Sequence, residues 1–148
     1  MLKVLIAEDD LMIADMVEET LVQHGYAVCG IARTVAEAVE LGRRHRPDLA
    51  VIDLRLADGG LGTEIAADLM ALGRIGILYA TGNIAQFVLT AANGDACLAK
   101  PYGGPDLLRG LEIVAEIVAT GRASAPFPYG FKVLPSAIGA IKEQPHGR

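Results

Sequence analysis

The sequence predicts an α/β domain built as a doubly wound parallel sheet, and three observations predict it. First, apolar runs of strand length recur at residues 2–7, 26–31, 49–53, 75–80 and 96–99, each bounded by polar or turn-forming residues. Second, stretches of helical periodicity fall between these runs and after the last. Parallel strands need such crossovers, and the crossover helices then cover both faces of the sheet. Third, three of the runs end in charged groups. Val4-Leu5-Ile6-Ala7 runs into Glu8-Asp9-Asp10, Ala50-Val51-Ile52 into Asp53, and Ala96-Cys97-Leu98-Ala99 into Lys100-Pro101. Open α/β sheets place their ligand sites at these carboxyl ends.

The elements follow in order. After the first strand, residues 11–24 put Ile13, Met16, Val17 and Leu21 on one helical stripe, which Gly25 stops. After the second strand, Thr34-Val35-Ala36-Glu37 is a capping box, in which a hydroxyl and a carboxylate satisfy free amides at a helix start. That helix should end near His45, because Pro47 disfavours helical geometry just before it. The third strand, residues 49–53, is continuously apolar up to Asp53 and reads as buried on both faces. Residues 63–72 carry Ile65, Ala66 and Leu69 on a helical face, with Gly73 as the stop. Residues 84–92 predict a short helix closed by Asn93-Gly94. The last helix, 105–120, has Pro105 in its first turn and a stripe of Leu107, Leu108, Leu111, Val114, Ala115 and Val118.

At 148 residues, one domain with a substantial core is expected. A composition 52% hydrophobic and 21% charged excludes a disordered chain. Net charge is −5, and the 13 Lys and Arg form no basic block, so nothing points to nucleic acid. No apolar run approaches the ~20 residues needed to span a bilayer. The start of the chain lacks the apolar segment and cleavage site of a signal peptide, so a cytoplasmic location is expected. Cys29 and Cys97 lie inside apolar runs and read as buried free thiols. From Gly121 the helical period disappears and prolines enter. The domain is therefore expected over residues 1–121, with 122–148 as a tail too short for a second domain.

In a five-stranded parallel sheet, the carboxyl ends of the first, third, fourth and fifth strands share one edge. Glu8, Asp9, Asp53, Thr81 and Lys100 would meet there. Like charges ~4 Å apart repel by roughly 4 kcal/mol at an effective dielectric of ~20, so clustered carboxylates call for a counter-ion. Oxygen ligands with room for water and a phosphate suit Mg²⁺. A carboxylate can attack phosphorus and form an aspartyl phosphate. Lys100 suits neutralisation of the phosphoryl oxygens, and the Thr81 hydroxyl can hydrogen-bond the attached group. Alone, an Asp at a strand end is more often a turn former, and Lys100 could be a solvated loop lysine; the constellation raises both above that. Asp10 reads as the cap of the first helix, or as the second ligand if the register slips by one. Gly59-Gly60-Leu61-Gly62 lacks the spacing of a nucleotide-binding loop and reads as a flexible one.

Taken in order, these residues resemble the receiver domain of two-component response regulators, over residues 2 to about 120 and of the single-domain, CheY-like type. The resemblance implies a flavodoxin-like (βα)5 fold with strand order 2-1-3-4-5. It implies that Asp53 is the phosphoacceptor and that Asp9 and Asp53 bind Mg²⁺ directly. Glu8 would bind it through water, and the Arg55 backbone carbonyl would complete the protein ligands. Lys100 would contact the phosphoryl group, with Thr81 as the switch hydroxyl. Tyr79-Ala80-Thr81-Gly82 is similar to a Phe-Ala-Thr-Gly motif found in a subgroup of single-domain receivers. The chain departs from the common pattern at Cys97, where many receivers carry an aromatic residue, at Gly82, and at Ala57, where a proline is common. With no aromatic at position 97, the response to phosphate is expected to run through residues 81–92 and the fifth strand.

The function so implied is a switch that takes a phosphoryl group from a sensor histidine kinase or phosphotransfer protein. It would act through a downstream protein target or a phosphorelay, with a homodimer left open. It is a regulator and not an enzyme beyond its own phosphotransfer and autodephosphorylation. A phosphatase of the haloacid dehalogenase type also uses an Asp nucleophile with Mg²⁺, but it needs a second acid two positions on, where this chain has Arg55. A degenerate receiver serving only as a binding module is the third alternative, disfavoured by the full acidic set and Lys100.

Overall fold

The computed structural model describes residues 1–82 and 88–136. The elements are β1 (Lys3–Ala7), α1 (Leu11–Gln23), β2 (Ala27–Ala32), α2 (Val35–His45), β3 (Leu49–Ile52), α3 (Gly62–Leu72), β4 (Gly76–Thr81), β5 (Ala96–Ala99), α4 (Gly104–Thr120) and β6 (Phe131–Val133). All six strands lie in one sheet, ordered β2-β1-β3-β4-β5-β6. The first five are parallel, in the expected 2-1-3-4-5 order, and β6 runs antiparallel to β5.

The continuous apolar runs are explained by burial on both faces. Leu5, Ala7, Ala50, Ile52, Ile77, Tyr79 and Cys97 point to one side, where Ala38 of α2 and Ile65, Ala66 and Leu69 of α3 cover them. Val4, Ile6, Leu49, Val51, Leu78, Ala80, Ala96 and Leu98 point to the other, against Val17 and Leu21 of α1 and Leu107, Leu111 and Val114 of α4. Successive side chains on a strand alternate between faces, so a strand with a helix layer on each side must be apolar throughout.

The helix starts follow local chemistry. Asp10 caps α1, its Oδ1 accepting from the amides of Met12 at 3.0 Å and Ile13 at 3.3 Å. Thr34 caps α2, accepting from the Glu37 amide at 3.2 Å, and the Glu37 carboxylate returns to the Arg33 amide at 2.8 Å, one residue earlier than a standard capping box. At α3 no side chain caps from Leu61; Glu64 reaches back to the Leu61 amide instead, at 3.0 Å.

The β5 margin differs from expectation. Of the helix predicted over 84–92, residues 84–87 lie outside the described residues, and residues 88–92 are not helical. Their polar groups are bonded differently. The Asn93 side chain accepts from the Thr90 amide, the Asn93 amide donates to the Thr90 carbonyl, and the Thr90 hydroxyl accepts from the Ala92 amide. Local side-chain bonds of this kind compete with the helix ladder. The Ala91 amide donates to the Pro135 carbonyl at 2.8 Å, far along the chain. Four helices are therefore seen among the described residues, and the segment read as a tail supplies β6. A turn over Pro128-Tyr129-Gly130-Phe131 precedes β6, closed by the Phe131 amide on the Pro128 carbonyl, with Gly130 at φ 76°, a conformation that favours glycine. Leu134 enters the core beside Ile77, Tyr79 and Cys97, with half-buried Leu89 packed against the same cluster. Phe131 packs on the opposite face, its ring over Gly110 of α4.

Candidate functional site

Each candidate side chain stands at or just past a strand end, and the ladder continues one bond further to hold it. The Glu8 amide donates to the Ala32 carbonyl at 2.9 Å and the Asp53 amide to the Ala7 carbonyl at 2.9 Å. The Lys100 amide donates to the carbonyl of Thr81, the last residue of β4, at 3.0 Å. These bonds extend the β1–β2, β3–β1 and β5–β4 ladders, and the β3–β4 pairing between them brings Glu8, Asp53, Thr81 and Lys100 to one edge of the sheet.

The Lys100 ammonium bridges the acids, with Nζ 2.7 Å from Glu8 Oε1 and 3.0 Å from Asp53 Oδ2. Glu8, Asp9 and Asp53 each offer a carboxylate oxygen, and these oxygens lie within 4.8 Å of one another. Glu8 is buried, while Asp53 keeps 12% of its side chain exposed, enough to be met from solvent. Burial pushes the Glu8 carboxyl up to about 7, against the pull of its bonds from Lys100 and the Asp10 amide; the Asp53 charge adds to the rise. Burial alone would lower the Lys100 ammonium, but its bonds to Glu8 and Asp53 outweigh that and raise it. One ammonium against three carboxylates leaves the pocket negative. Such an all-oxygen set fits a hard divalent cation.

The loop after Asp53 is more ordered than its glycines suggested. Arg55 and Leu61 face each other in an antiparallel bridge, closed by Leu56 to Gly60 at 3.0 Å and Gly62 to Leu54 at 2.9 Å. The Arg55 amide lies 3.4 Å from Asp53 Oδ1, a long contact. Gly62 runs so close to the Asp53 carbonyl that a Cβ there would collide with it. Asp10, whose Oδ1 is taken by the α1 amides, acts as the cap, and its own amide donates to Glu8 Oε2 at 3.1 Å.

One aromatic residue beside the site, Tyr102, was not singled out from the sequence, and the packing of Tyr79 was not evident from the Tyr79-Ala80-Thr81-Gly82 motif. Tyr102 follows the cis Lys100–Pro101 bond and packs against the core; burial raises its phenol, and the charges of Glu8 and Asp53 raise it further. An aromatic two residues past the strand-ending lysine was the available signal. Tyr79 is fully buried on β4, directly across from Cys97 on β5, with its hydroxyl donating to the Asn93 carbonyl at 2.6 Å. The aromatic bulk absent from position 97 therefore sits on the neighbouring strand, and a Cβ at Gly94 would collide with its ring.

Comparison with known proteins agrees with this geometry. The family model for the response regulator receiver domain matches residues 4–117. The transcriptional regulatory protein PdtaR of Mycobacterium tuberculosis is 32% identical over 117 residues, covering 77% of this chain and 57% of PdtaR. The phyllosphere-induced regulator PhyR of Methylorubrum extorquens is 33% identical over 102 residues, covering 68% of this chain and 38% of PhyR. The chain thus spans about half or less of the length of these relatives. Among solved structures, a CheY-like receiver domain protein from Methanospirillum hungatei superposes with a TM-score of 0.71 at 28% identity, covering 82% of this chain and 99% of that one. The anti-anti-sigma factor PhyR from Bartonella quintana gives 0.67 at 29% identity, covering 81% and 49%. Receiver domains bind Mg²⁺ at an acidic pocket, and Glu8, Asp9 and Asp53 form such a cluster here. No helix among the described residues is long and apolar enough to cross a membrane. From the match over residues 4–117 and the strand-end cluster of acids and lysine, this chain belongs to the response regulator receiver domain family of two-component signalling.

Proposed function

We propose that this chain is a phosphorylation-dependent switch in which Asp53 accepts a phosphoryl group from a histidine kinase or phosphotransfer protein. The observation that carries the reading is the Lys100 ammonium bridging Glu8 and Asp53, with Asp53 the more exposed of the two acids. An Asp53 carboxylate oxygen attacks phosphorus, the P–N bond of the donor phosphohistidine breaks, and the imidazole leaves with a proton from water. Lys100 moves its ammonium from the Asp53 carboxylate to a phosphoryl oxygen, so its charge is in place as the transfer proceeds. The Thr81 hydroxyl, at the end of β4, hydrogen-bonds the attached group. Glu8, Asp9, Asp53 and the Arg55 backbone carbonyl would hold Mg²⁺, which when bound supplies charge neutralisation at the phosphoryl oxygens.

The output in this reading is a protein contact. The PhyR of Bartonella quintana is described as an anti-anti-sigma factor, and a protein target of comparable kind is the partner class we propose here. A single experiment tests the switch: incubation with acetyl phosphate and Mg²⁺, followed by intact mass. The expected result is one base-labile phosphoryl adduct that disappears without Mg²⁺ and in Asp53→Asn. Labelling of Asp53→Asn at the wild-type rate would move the acceptor elsewhere, and steady turnover with no adduct would favour a phosphatase.

A further inference from the structure

The carboxyl end of β5 is gripped from both sides. On the β4 side, the Lys100 amide donates to the Thr81 carbonyl at 3.0 Å; on the β6 side, the Ala99 amide donates to the Gly130 carbonyl at 3.0 Å. The residue beside Lys100 is therefore tied to the C-terminal segment. Two more bonds continue the seam, Leu134 amide to Asp95 carbonyl at 3.0 Å and Ala91 amide to Pro135 carbonyl at 2.8 Å. The approach to β6 is clamped on α4. Arg109 donates to the Pro126 carbonyl at 3.0 Å and the Ser124 carbonyl at 2.7 Å, and Glu116 accepts from the Ser124 amide at 2.7 Å.

The two grips are unequal. The β4–β5 ladder lies in the core, where every residue of β4 is buried. On the other side stands a three-residue edge strand with Lys132 exposed, and Leu134 is the one buried side chain over residues 122–136. Short ladders with exposed bonds open at the lowest free energy in a fold. A phosphoryl group on Asp53 would occupy the space where the Lys100 ammonium now meets Oδ2. Lys100 must then re-aim, and the strain falls on the grip that yields first.

We propose that residues 122–136 form a strap coupled to Asp53. Docked, the strap holds β5 and Lys100 in the unphosphorylated arrangement; phosphorylation loosens it and uncovers the β5 edge. This rests on the phosphoacceptor reading above. Coupling between two sites is reciprocal, so a chain whose strap is undocked must bind the phosphoryl group more tightly, by the factor by which phosphorylation loosens the strap. A purely structural strap has no such effect, since general loosening would weaken the site or leave it alone.

The test uses the full chain, with beryllofluoride and Mg²⁺ as the phosphoryl mimic. Two variants weaken the strap away from the acids: Gly130→Ala, which forces a side chain into a positive-φ turn against Ala99, and Arg109→Ala, which removes the α4 clamp. Fluorine NMR titration should show both variants binding beryllofluoride about five-fold or more tightly than wild type. Hydrogen exchange in wild type should show faster amides at Ala91, Ala99 and Leu134 on beryllofluoride binding. Unchanged or weaker binding in both variants, or exchange at those amides that stays level or slows in the bound wild type, overturns the strap. A wild-type chain that takes up no beryllofluoride overturns the phosphoacceptor reading beneath it.

Discussion

On one face of the sheet, β1 and β3 are covered by the helices α2 and α3, whereas Cys97 of β5, on that same face, is covered from the far end of the described chain. The face that carries Leu5, Ile52, Ile77 and Tyr79 shows both in a single layer. Ala38, Ile65, Ala66 and Leu69 lie over β1 and β3 from α2 and α3, whereas Leu134 and Leu89 join the same layer from β6's flank and from the turn before β5. Local helices make a stiff frame, which suits the side that must hold Glu8, Asp9 and Asp53 at fixed spacing against their own repulsion. A short edge strand makes a weaker margin, next to the lysine that the proposed switch would move.

The sharpest way to break this comparison is to ask whether the margin is core at all. Leu134 is 6% exposed and packs in the same layer as Ile77, Tyr79 and Cys97. Leu134→Ala should cost about 3 kcal/mol in urea unfolding, as a buried leucine does when its cavity cannot collapse. Val88→Ala, at a position 95% exposed, should stay within about 0.5 kcal/mol. If the two losses match, β6 lies on the surface of the fold and the contrast between the two sides disappears. Leu134→Ala should still take label at Asp53.

On the acid side, Glu8, Asp9 and Asp53 crowd together around one ammonium, so a bound cation should add stability. Mg²⁺ that binds only the folded chain adds about 2.7 kcal/mol at ~100 Kd. Asp9→Asn should shrink that shift markedly. Lys100→Ala should keep it, because the ammonium competes with the cation for the same two carboxylates. An equal Mg²⁺ shift in wild type and Asp9→Asn would remove Asp9 from the ligand set.

The same contrast explains what could be read from the sequence. Five strands and four helices were legible because their apolar residues recur at fixed intervals within one window, and Asp53 and Lys100 stood out because each ends such a run. β6 was not legible. Its three residues follow a turn holding Pro128 and Gly130, and its cause lies in partners far back in the chain, at Ala96, Cys97 and Leu98. The helix expected at 84–92 failed in its described part because the Thr90 and Asn93 side chains bond their own backbone there, a competition that apolar spacing does not reveal. Replacement of the aromatic at 97 by Tyr79 was hidden for a related reason: positions 79 and 97 are distant in sequence and meet only through the β4–β5 register.

The smallest effect comes from the acid side without metal, and its sign is specific. Burial raises the Glu8 carboxyl to about 7 from an ordinary 4.5. The folded chain therefore binds this proton more tightly than the unfolded chain does. The resulting contribution to stability is complete below about 4.5 and is lost as pH rises through about 7. Lys100 acts in another window: its pKa is raised above 10.5, so its contribution persists through neutral pH and fades only in strong base. Between these limits Glu8 dominates, and stability in EDTA should fall by about 2.4 kcal/mol from pH 5 to 7.5, never faster than about 1.4 kcal/mol per pH unit, the slope of one proton. Glu8→Gln should flatten the profile. Mg²⁺ should reverse it, since the cation requires the ionised carboxylate and its stabilisation grows over the same window. Urea midpoints at four pH values, with and without Mg²⁺, would decide the matter. A metal-free wild-type profile that tracks Glu8→Gln throughout would mean that Glu8 is ionised across the range and that Lys100 alone offsets its burial.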